Sequence, residues 1–254
     1  MTSTTDRAAG ILMAVRGGGA PAPGLGDATP AVEADVWAVQ REVLRRMGGR
    51  IGGWKCAYPP GKPRTAAMLD AAGLRQGPAQ WRLPASGKIG IETEVAFRMG
   101  RALPPRGTPY TRTEVMEAVA AAFAAVELVE SRYADPSAVS VAESMADGVA
   151  HAGLVVGADV PSWRDLDLGA LTVRQSHGGE VQVERVGGNP SGDPYTAITN
   201  LANHLHEFGL MLEAGQVVTT GSVTGLVAVG AGRVVGAFDG FGEAVVDLVL
   251  PASR

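Results

Sequence analysis

From Lys88 to Met99 polar and apolar positions alternate, so that Ile89, Ile91, Val95, Phe97 and Met99 share one face of an extended strand. Glu92 and Glu94 then project together from the opposite face. Helical spacing governs other stretches. Thr29-Pro30 reads as a cap with proline at the first helical position, and the stripe Val36, Val39, Val43, Leu44 and Met47 runs on to Gly48-Gly49. Before it, a short helical stretch leads into a glycine- and proline-rich loop from Gly17 to Gly24. After it, Ile51 to Tyr58 predicts a short strand, Thr65 to Gly73 a short helix, and Arg75 to Gly87 a loop. The alanine-rich run from Thr111 to about Val126, with Val115, Val119 and Phe123 on one stripe, predicts a helix.

The second half is richer in strands. Ala152 to Gly157 predicts a buried strand, and Leu171 to Val186 a hairpin turning at Gly178-Gly179. Asp193-Pro194 caps a helix carrying Ile198, Leu201, Leu205, Phe208 and Leu212. Strands follow over Val217 to Thr220, Arg233 to Phe238 and Glu243 to Leu250, with a turn at Asp239-Gly240. Helices concentrated early and short strands later define an α+β chain with a mixed sheet or barrel-like β core. A dinucleotide-binding βαβ fold is excluded, because no strand feeds a Gly-x-Gly-x-x-Gly turn. No solenoid repeat is present.

Composition narrows the picture. The 254 residues suffice for a substantial core, and 46% hydrophobic with 19% charged residues describes a globular protein. A net charge of −4 lacks the basic footprint of a nucleic-acid binder. The lone Cys56 excludes an internal disulfide, fits a reducing compartment and, beside Trp54, reads as packing. Neither a signal peptide nor a membrane-length apolar run is evident, so a cytoplasmic location is expected. The 4 histidines and one cysteine lack zinc-site spacing. His204 and His206, two apart on a predicted helix, point to different faces and suit surface or capping roles.

Chemistry gathers at the acids. Two carboxylates held side by side repel unless water screens them or a cation joins them. Spacing alone leaves both a wet strand face and a hard divalent ion open. Glu127, set among Ala124, Ala125, Val126, Leu128 and Val129, is the candidate third acid. If it enters the core it must be paired, protonated or metal-bound; the alternative is a helix-end residue paired with Arg132. Lys55 lies between Trp54 and Cys56 on an apolar segment. Near a bound cation its pKa would be lowered, which suits proton transfer, whereas at a strand end it is an ordinary lysine. Thr219-Thr220-Gly221-Ser222-Val223-Thr224-Gly225 offers hydroxyls and backbone N–H groups that could cradle a carboxylate or form a plain turn.

These blocks, in order, resemble the 2-keto-4-pentenoate hydratase family of the fumarylacetoacetate hydrolase superfamily. The resemblance rests on Gly53-Trp54-Lys55, Ile91-Glu92-Thr93-Glu94-Val95-Ala96-Phe97 and Val126-Glu127-Leu128-Val129-Glu130-Ser131-Arg132. It continues through Gly192-Asp193-Pro194, Asn200-Leu201-Ala202-Asn203-His204-Leu205 and Ala214-Gly215-Gln216-Val217-Val218-Thr219-Thr220-Gly221-Ser222. It implies a fumarylacetoacetate-hydrolase-like fold with a mixed β-roll or barrel core. An N-terminal helical region (1–80) would precede a β-rich catalytic domain (81–254). It also implies Mg2+ or Mn2+ held by Glu92, Glu94 and Glu127, Lys55 as the acid/base group, and substrate binding by Thr220, Gly221, Ser222, Asp147 and Arg132. The implied activity is hydration of a small 2-hydroxy-2,4-dienoate in aromatic-compound catabolism, in a homo-oligomer. Rivals are a decarboxylase of a 4-oxalocrotonate-like diacid, whose second carboxylate Arg82 or Arg132 could meet, a 1,3-dicarbonyl hydrolase, for which no histidine lies near the acids in sequence, and a non-catalytic subunit assembled with a decarboxylase partner. Two departures stand out. The segment Gln76 to Ser86 lacks an acid that many hydratases carry, and the family's Ala-Asp-Asn-x-Ser segment is Ala146-Asp147-Gly148-Val149-Ala150.

Overall fold

A computed structural model describes residues 3–250. Two helices open the chain, α1 (Thr4–Arg16) and α2 (Glu33–Arg46), followed by strands β1 (Ile51–Ala57), β2 (Thr65–Asp70), β3 (Leu74–Gln76), β4 (Ala79–Arg82) and β5 (Ile89–Met99). Then come α3 (Arg112–Ala118), β6 (Val119–Val129), α4 (Val141–Ala146), β7 (His151–Val156), β8 (Thr172–His177) and β9 (Glu180–Val186). Helix α5 (Pro194–His206) precedes β10 (Val217–Thr219), β11 (Val227–Val229), β12 (Gly232–Phe238) and β13 (Gly242–Val249).

The strands form two mixed sheets. The larger has the order β2-β1-β10-β5-β6-β7-β3, with β11 added along β5, and the smaller has the order β4-β13-β12-β8-β9. Each order is an open path, so the α+β class holds while no closed barrel forms among the described residues. Strands β1 to β3, all before residue 81, belong to the sheet that carries β5 and β6. The early helical part is thus confined to α1 and α2, whose Ala8, Ala9 and Leu12 pack on Val39 and Val43.

Three expectations are corrected. Thr65 to Gly73 is not a helix: its first six residues form β2, antiparallel to β1, with Ala66 and Met68 in the main core and Leu69 in a smaller cluster on the other face. Helix α3 ends at Ala118, and the alanine-rich run continues as β6. Ala122, Ala124, Val126 and Leu128 face the main core, whereas Ala121, Phe123 and Ala125 fill the second cluster. A strand buried on both faces loses the period-2 signature, and tertiary packing overrides alanine's helix preference. The expected loop from Arg75 to Gly87 contains β3, parallel to β7, and β4, parallel to β13.

Smaller differences concern ends. Helix α2 begins at Glu33 behind Val32, not at Thr29-Pro30, and Met47 is exposed. Asp193 caps α5 by accepting from the Thr196 N–H, with Pro194 in the first turn as expected, but the helix stops at His206. No helix among the described residues is long and apolar enough to cross a membrane.

Candidate metal centre

Alternation along β5 sends its odd-numbered residues into the main core and Glu92 and Glu94 to the other face. Strand β6 lies antiparallel beside it, with Glu127 directly opposite Glu92. Oxygens of Glu92, Glu94 and Glu127 all lie within 4.8 Å of one another. The wet-face alternative fails on burial: Glu94 is 1% exposed and Glu127 0%. The alternative that pairs Glu127 with Arg132 also fails, because Glu127 lies within a strand rather than at a helix end and meets other groups.

Lys55 reaches this cluster from β1, across β10. Its Nζ donates to Glu127 Oε1 at 2.6 Å and to the Val149 carbonyl at 3.0 Å. On the same oxygen converges His151 Nδ1, at 2.8 Å. Glu94 accepts from the Thr219 hydroxyl and, at 2.7 Å, from the Gly221 N–H. The Ser222 hydroxyl bonds to Glu92. Thr220 donates to the Val95 carbonyl at 2.7 Å and so pins the turn to β5. Within this cluster Glu127 Oε2 and His151 Nε2 are buried without a partner.

Electrostatics follow from this crowding. Burial, then the Glu127 charge, raises the Glu92 pKa against Lys55. Burial with both neighbouring glutamates pushes Glu94 well above the carboxylate range. Burial pushes Glu127 up too, but Lys55 and His151 outweigh it and hold its carboxyl down at about 2. At Lys55 burial and charge oppose each other. Burial lowers its pKa, yet three surrounding carboxylates outweigh burial and raise it, so the group is an ammonium. Three acids crowded beside one ammonium can all ionise only if a further cation joins them. Together with the orphaned Glu127 Oε2, such an all-oxygen donor set fits a hard divalent cation.

Arg132 and Asp147 stand one layer away. Arg132 Nε and its backbone N–H both reach the Asp147 carboxylate, Nη2 donates to the Asp147 carbonyl at 2.6 Å, and Nη1 donates to the His151 carbonyl at 3.1 Å. Arg132 thus clamps both ends of the segment between them. Within it Gly148, Val149 and Ala150 all have positive φ, 68°, 51° and 59°. A β-branched residue there is strained by about 1–3 kcal/mol. The clamp holds the strained turn in place, and the turn aims the Val149 carbonyl at Lys55. Arg82 lies in the other sheet, on β4.

Sequence reasoning missed His151. Its signal is register: β7 pairs antiparallel with β6, placing His151 opposite Val129 and on the Glu127 side. That pairing is invisible while β6 is read as a helix. His204 is also corrected, being 2% exposed and wedged between Tyr58 and Glu33 rather than on the surface. Cys56 is buried and packed, and burial raises its thiol pKa. A cavity of about 240 Å³ lies between α1 and α2 on one side and the ends of β2 and β7 on the other, with Gly148 and His151 in its wall.

This geometry defines a three-glutamate, one-lysine centre on a mixed sheet. A model for the fumarylacetoacetate (FAA) hydrolase C-terminal domain matches residues 61–249. A 2-keto-4-pentenoate hydratase of Paraburkholderia phymatum is 30% identical over 230 residues, 86% of this chain and 85% of that one. The chain belongs to the 2-keto-4-pentenoate hydratase family, within the fumarylacetoacetate hydrolase superfamily. A 2-hydroxyhexa-2,4-dienoate hydratase of Comamonas testosteroni is 31% identical over 167 residues, 66% of this chain but only 58% of that enzyme. The solved 4-oxalocrotonate decarboxylase from Pseudomonas putida G7, complexed with magnesium and adipate, shares the fold at a TM-score of 0.82 and 22% identity, over 97% of both chains.

Proposed function

We propose that this protein is a divalent-metal-dependent hydro-lyase that adds water to a small 2-hydroxy-2,4-dienoate of the kind formed when aromatic compounds are broken down. The observation that carries the reading is the buried triad Glu92, Glu94 and Glu127, with one unpartnered oxygen beside a lysine ammonium. These three carboxylates would hold Mg2+ or Mn2+, and the ion would act as a Lewis acid toward the 2-oxo acid end of the substrate.

The remaining roles fall to the chain itself. The Thr220-Gly221-Ser222 turn, pinned by Thr220, would hold the substrate carboxylate, with the Gly221 N–H and the Ser222 hydroxyl giving up their bonds to Glu94 and Glu92 to do so. Lys55, an ammonium steadied by Glu127 and the Val149 carbonyl, holds the proton that is delivered to the far end of the diene. The product of that transfer is an α,β-unsaturated 2-oxo acid, whose C4 accepts water. Arg132 and Asp147 act on this step through the turn that aims Val149 at Lys55. Asn and Ser of the family segment are here Gly148 and Ala150, so the enclosure of the diene relies on backbone and His151 rather than on two further polar side chains. Assembly as a homo-oligomer belongs to the same proposal.

Decarboxylation uses the same enolate stabilisation, so one assay separates the readings. Purified protein is given 2-hydroxypenta-2,4-dienoate and 4-oxalocrotonate with and without Mg2+, and dienol absorbance and released CO2 are followed together. Mg2+-dependent loss of absorbance without CO2 supports the hydro-lyase. Release of CO2 in step with absorbance identifies a decarboxylase, and inertness toward both substrates with metal bound points to a non-catalytic subunit.

A further inference from the structure

Strand β5 has a gap along one edge, and the gap falls on the carboxylates. On that edge β11 pairs with residues 89–91 and β10 with residues 96–98, so no strand among the described residues accompanies residues 92–95. The turn at residues 220–224 takes the strand's place. Thr220 donates to the Val95 carbonyl at 2.7 Å, the Val223 N–H donates to the Thr93 carbonyl at 3.0 Å, and the Thr93 N–H donates to the Thr224 hydroxyl at 3.0 Å. Two of these three bonds use a threonine hydroxyl, which can turn, where a ladder would use fixed backbone groups. The backbone that carries two of the three acids therefore needs a further support.

Gln175 supplies it from the other sheet. On β8 it lies opposite Gly236 of β12, and it is fully buried. Gly236 keeps the way open, since a Cβ there would come within 2.6 Å of Thr93 Oγ1. Gln175 Oε1 accepts from the Thr93 hydroxyl at 2.7 Å and from the Thr224 hydroxyl at 3.2 Å, the latter proton being shared with the Gly225 carbonyl at 3.1 Å. One oxygen thus joins the residue between Glu92 and Glu94 to the turn that closes their edge. Gln175 Nε2, by contrast, is buried without a partner. The donor half of this amide is idle, and its whole polar role is to hold Thr93 and Thr224 together.

We propose that Gln175 is a positioning residue for the metal centre: by fixing Thr93 against the turn at residues 220–224 it sets the spacing of Glu92 and Glu94, and so makes the triad favour Mg2+ over Ca2+. The proposal rests on the metal-centre reading and adds a determinant of ion choice. Thr93 lies between the two acids with its side chain on the opposite face of β5, so a shift of its backbone carries both carboxylates with it. The turn also reaches the acids directly, through Gly221 on Glu94 and Ser222 on Glu92. Mg2+ demands near-ideal octahedral geometry at about 2.0–2.1 Å, whereas Ca2+ accepts irregular shells at about 2.3–2.6 Å. Loosening the spacing therefore penalises Mg2+ first. Gln175 itself bonds to none of the three acids.

Calorimetric titration of Mg2+ and of Ca2+ into metal-free wild type, Gln175→Met and Thr93→Val tests this. Methionine keeps the length of glutamine without its acceptor, and valine keeps the shape of threonine without its donor. Each variant should bind Mg2+ at least about 10-fold more weakly than wild type, with Ca2+ affinity kept within about threefold. The double variant should match the weaker single variant within about twofold, because both substitutions break one unit. Gln175→Glu, which keeps an accepting oxygen, should restore most of the Mg2+ affinity. Retained Ca2+ binding shows at the same time that a variant is folded at the site. Unchanged Mg2+ affinity in Gln175→Met and Thr93→Val overturns the proposal, and so do equal losses for the two ions, the mark of a merely structural role. Absence of Mg2+ binding by wild type is a different failure: it removes the metal-centre reading, and the proposal with it.

Discussion

Replacing Lys55 with methionine removes the single ammonium among three carboxylates while keeping an unbranched side chain one atom shorter. In the folded protein Nζ lies 2.6 Å from Glu127 Oε1 and 3.0 Å from the Val149 carbonyl, and Glu127 is fully buried. Breaking a buried pair from one side costs about 3–5 kcal/mol, because the remaining charge stays buried without its partner. His151 still contacts Glu127, which places the expected loss toward the lower end. For a chain of this size that corresponds to a melting temperature lower by roughly 6–20 °C. The same deletion removes a charge that repels an incoming divalent cation. Mg2+ should therefore stabilise Lys55→Met more than it stabilises wild type, by about 1.4 kcal/mol or more, equivalent to a tenfold gain in apparent affinity. Urea unfolding of both proteins, each with and without saturating Mg2+, reads both quantities. A loss below about 1 kcal/mol, or one that Mg2+ leaves unchanged, would refute the buried-charge argument.

Other expectations are independent of that pair. Gly53→Ala would drive a Cβ into the Val217 carbonyl where β1 runs beside β10, two residues from Lys55. It should cost more than about 2 kcal/mol in chemical denaturation, and a near-neutral result would show that the pairing is looser than described. Arg132→Met should destabilise by about 3–5 kcal/mol by stranding Asp147, and should lower kcat more than it raises KM because the turn that aims Val149 at Lys55 loses its clamp. Equal kcat in this variant would refute the positioning role. His204 gives a pH dependence. Burial holds its folded-state pKa below the ordinary 6.5, against the pull of Glu33, so the stability it supports is complete above that value and is lost as pH falls through the folded pKa. His204→Asn should flatten the decline of unfolding free energy between about pH 7 and about pH 5, and parallel wild-type and variant curves would exclude this assignment.

The sequence was legible where polar and apolar positions alternate along an element or a cap is local. Strand β5, the hairpin of β8 and β9, and the Asp193-Pro194 start of α5 each carry a period or capping residue that needs no distant partner. Strand β6 carried no such mark. Its alanines pack closely on two faces, and a run rich in alanine reads as helix. The consequence reached the site. The chemistry of Glu127 could be argued from its apolar neighbours, but its partners Lys55 and His151 arrive from strands that are distant in sequence. The direction of the Lys55 shift was likewise hidden, since it depends on how many carboxylates surround one ammonium. Arg132 showed the opposite problem: its charge was visible, but only the structure reveals that its donors are consumed by the turn from Asp147 to His151.

The central claim is that Glu92, Glu94 and Glu127 together hold a divalent ion, and calorimetric titration of Mg2+ into the metal-free protein and its Glu92→Gln variant tests it most directly. Glu92 is the least buried of the triad, so its amide can be accommodated with the fold intact, as circular dichroism would verify. Wild type should bind one Mg2+ per chain, and Glu92→Gln should bind at least about 10-fold more weakly or not at all. Unchanged Mg2+ affinity in a folded Glu92→Gln variant would contradict the account.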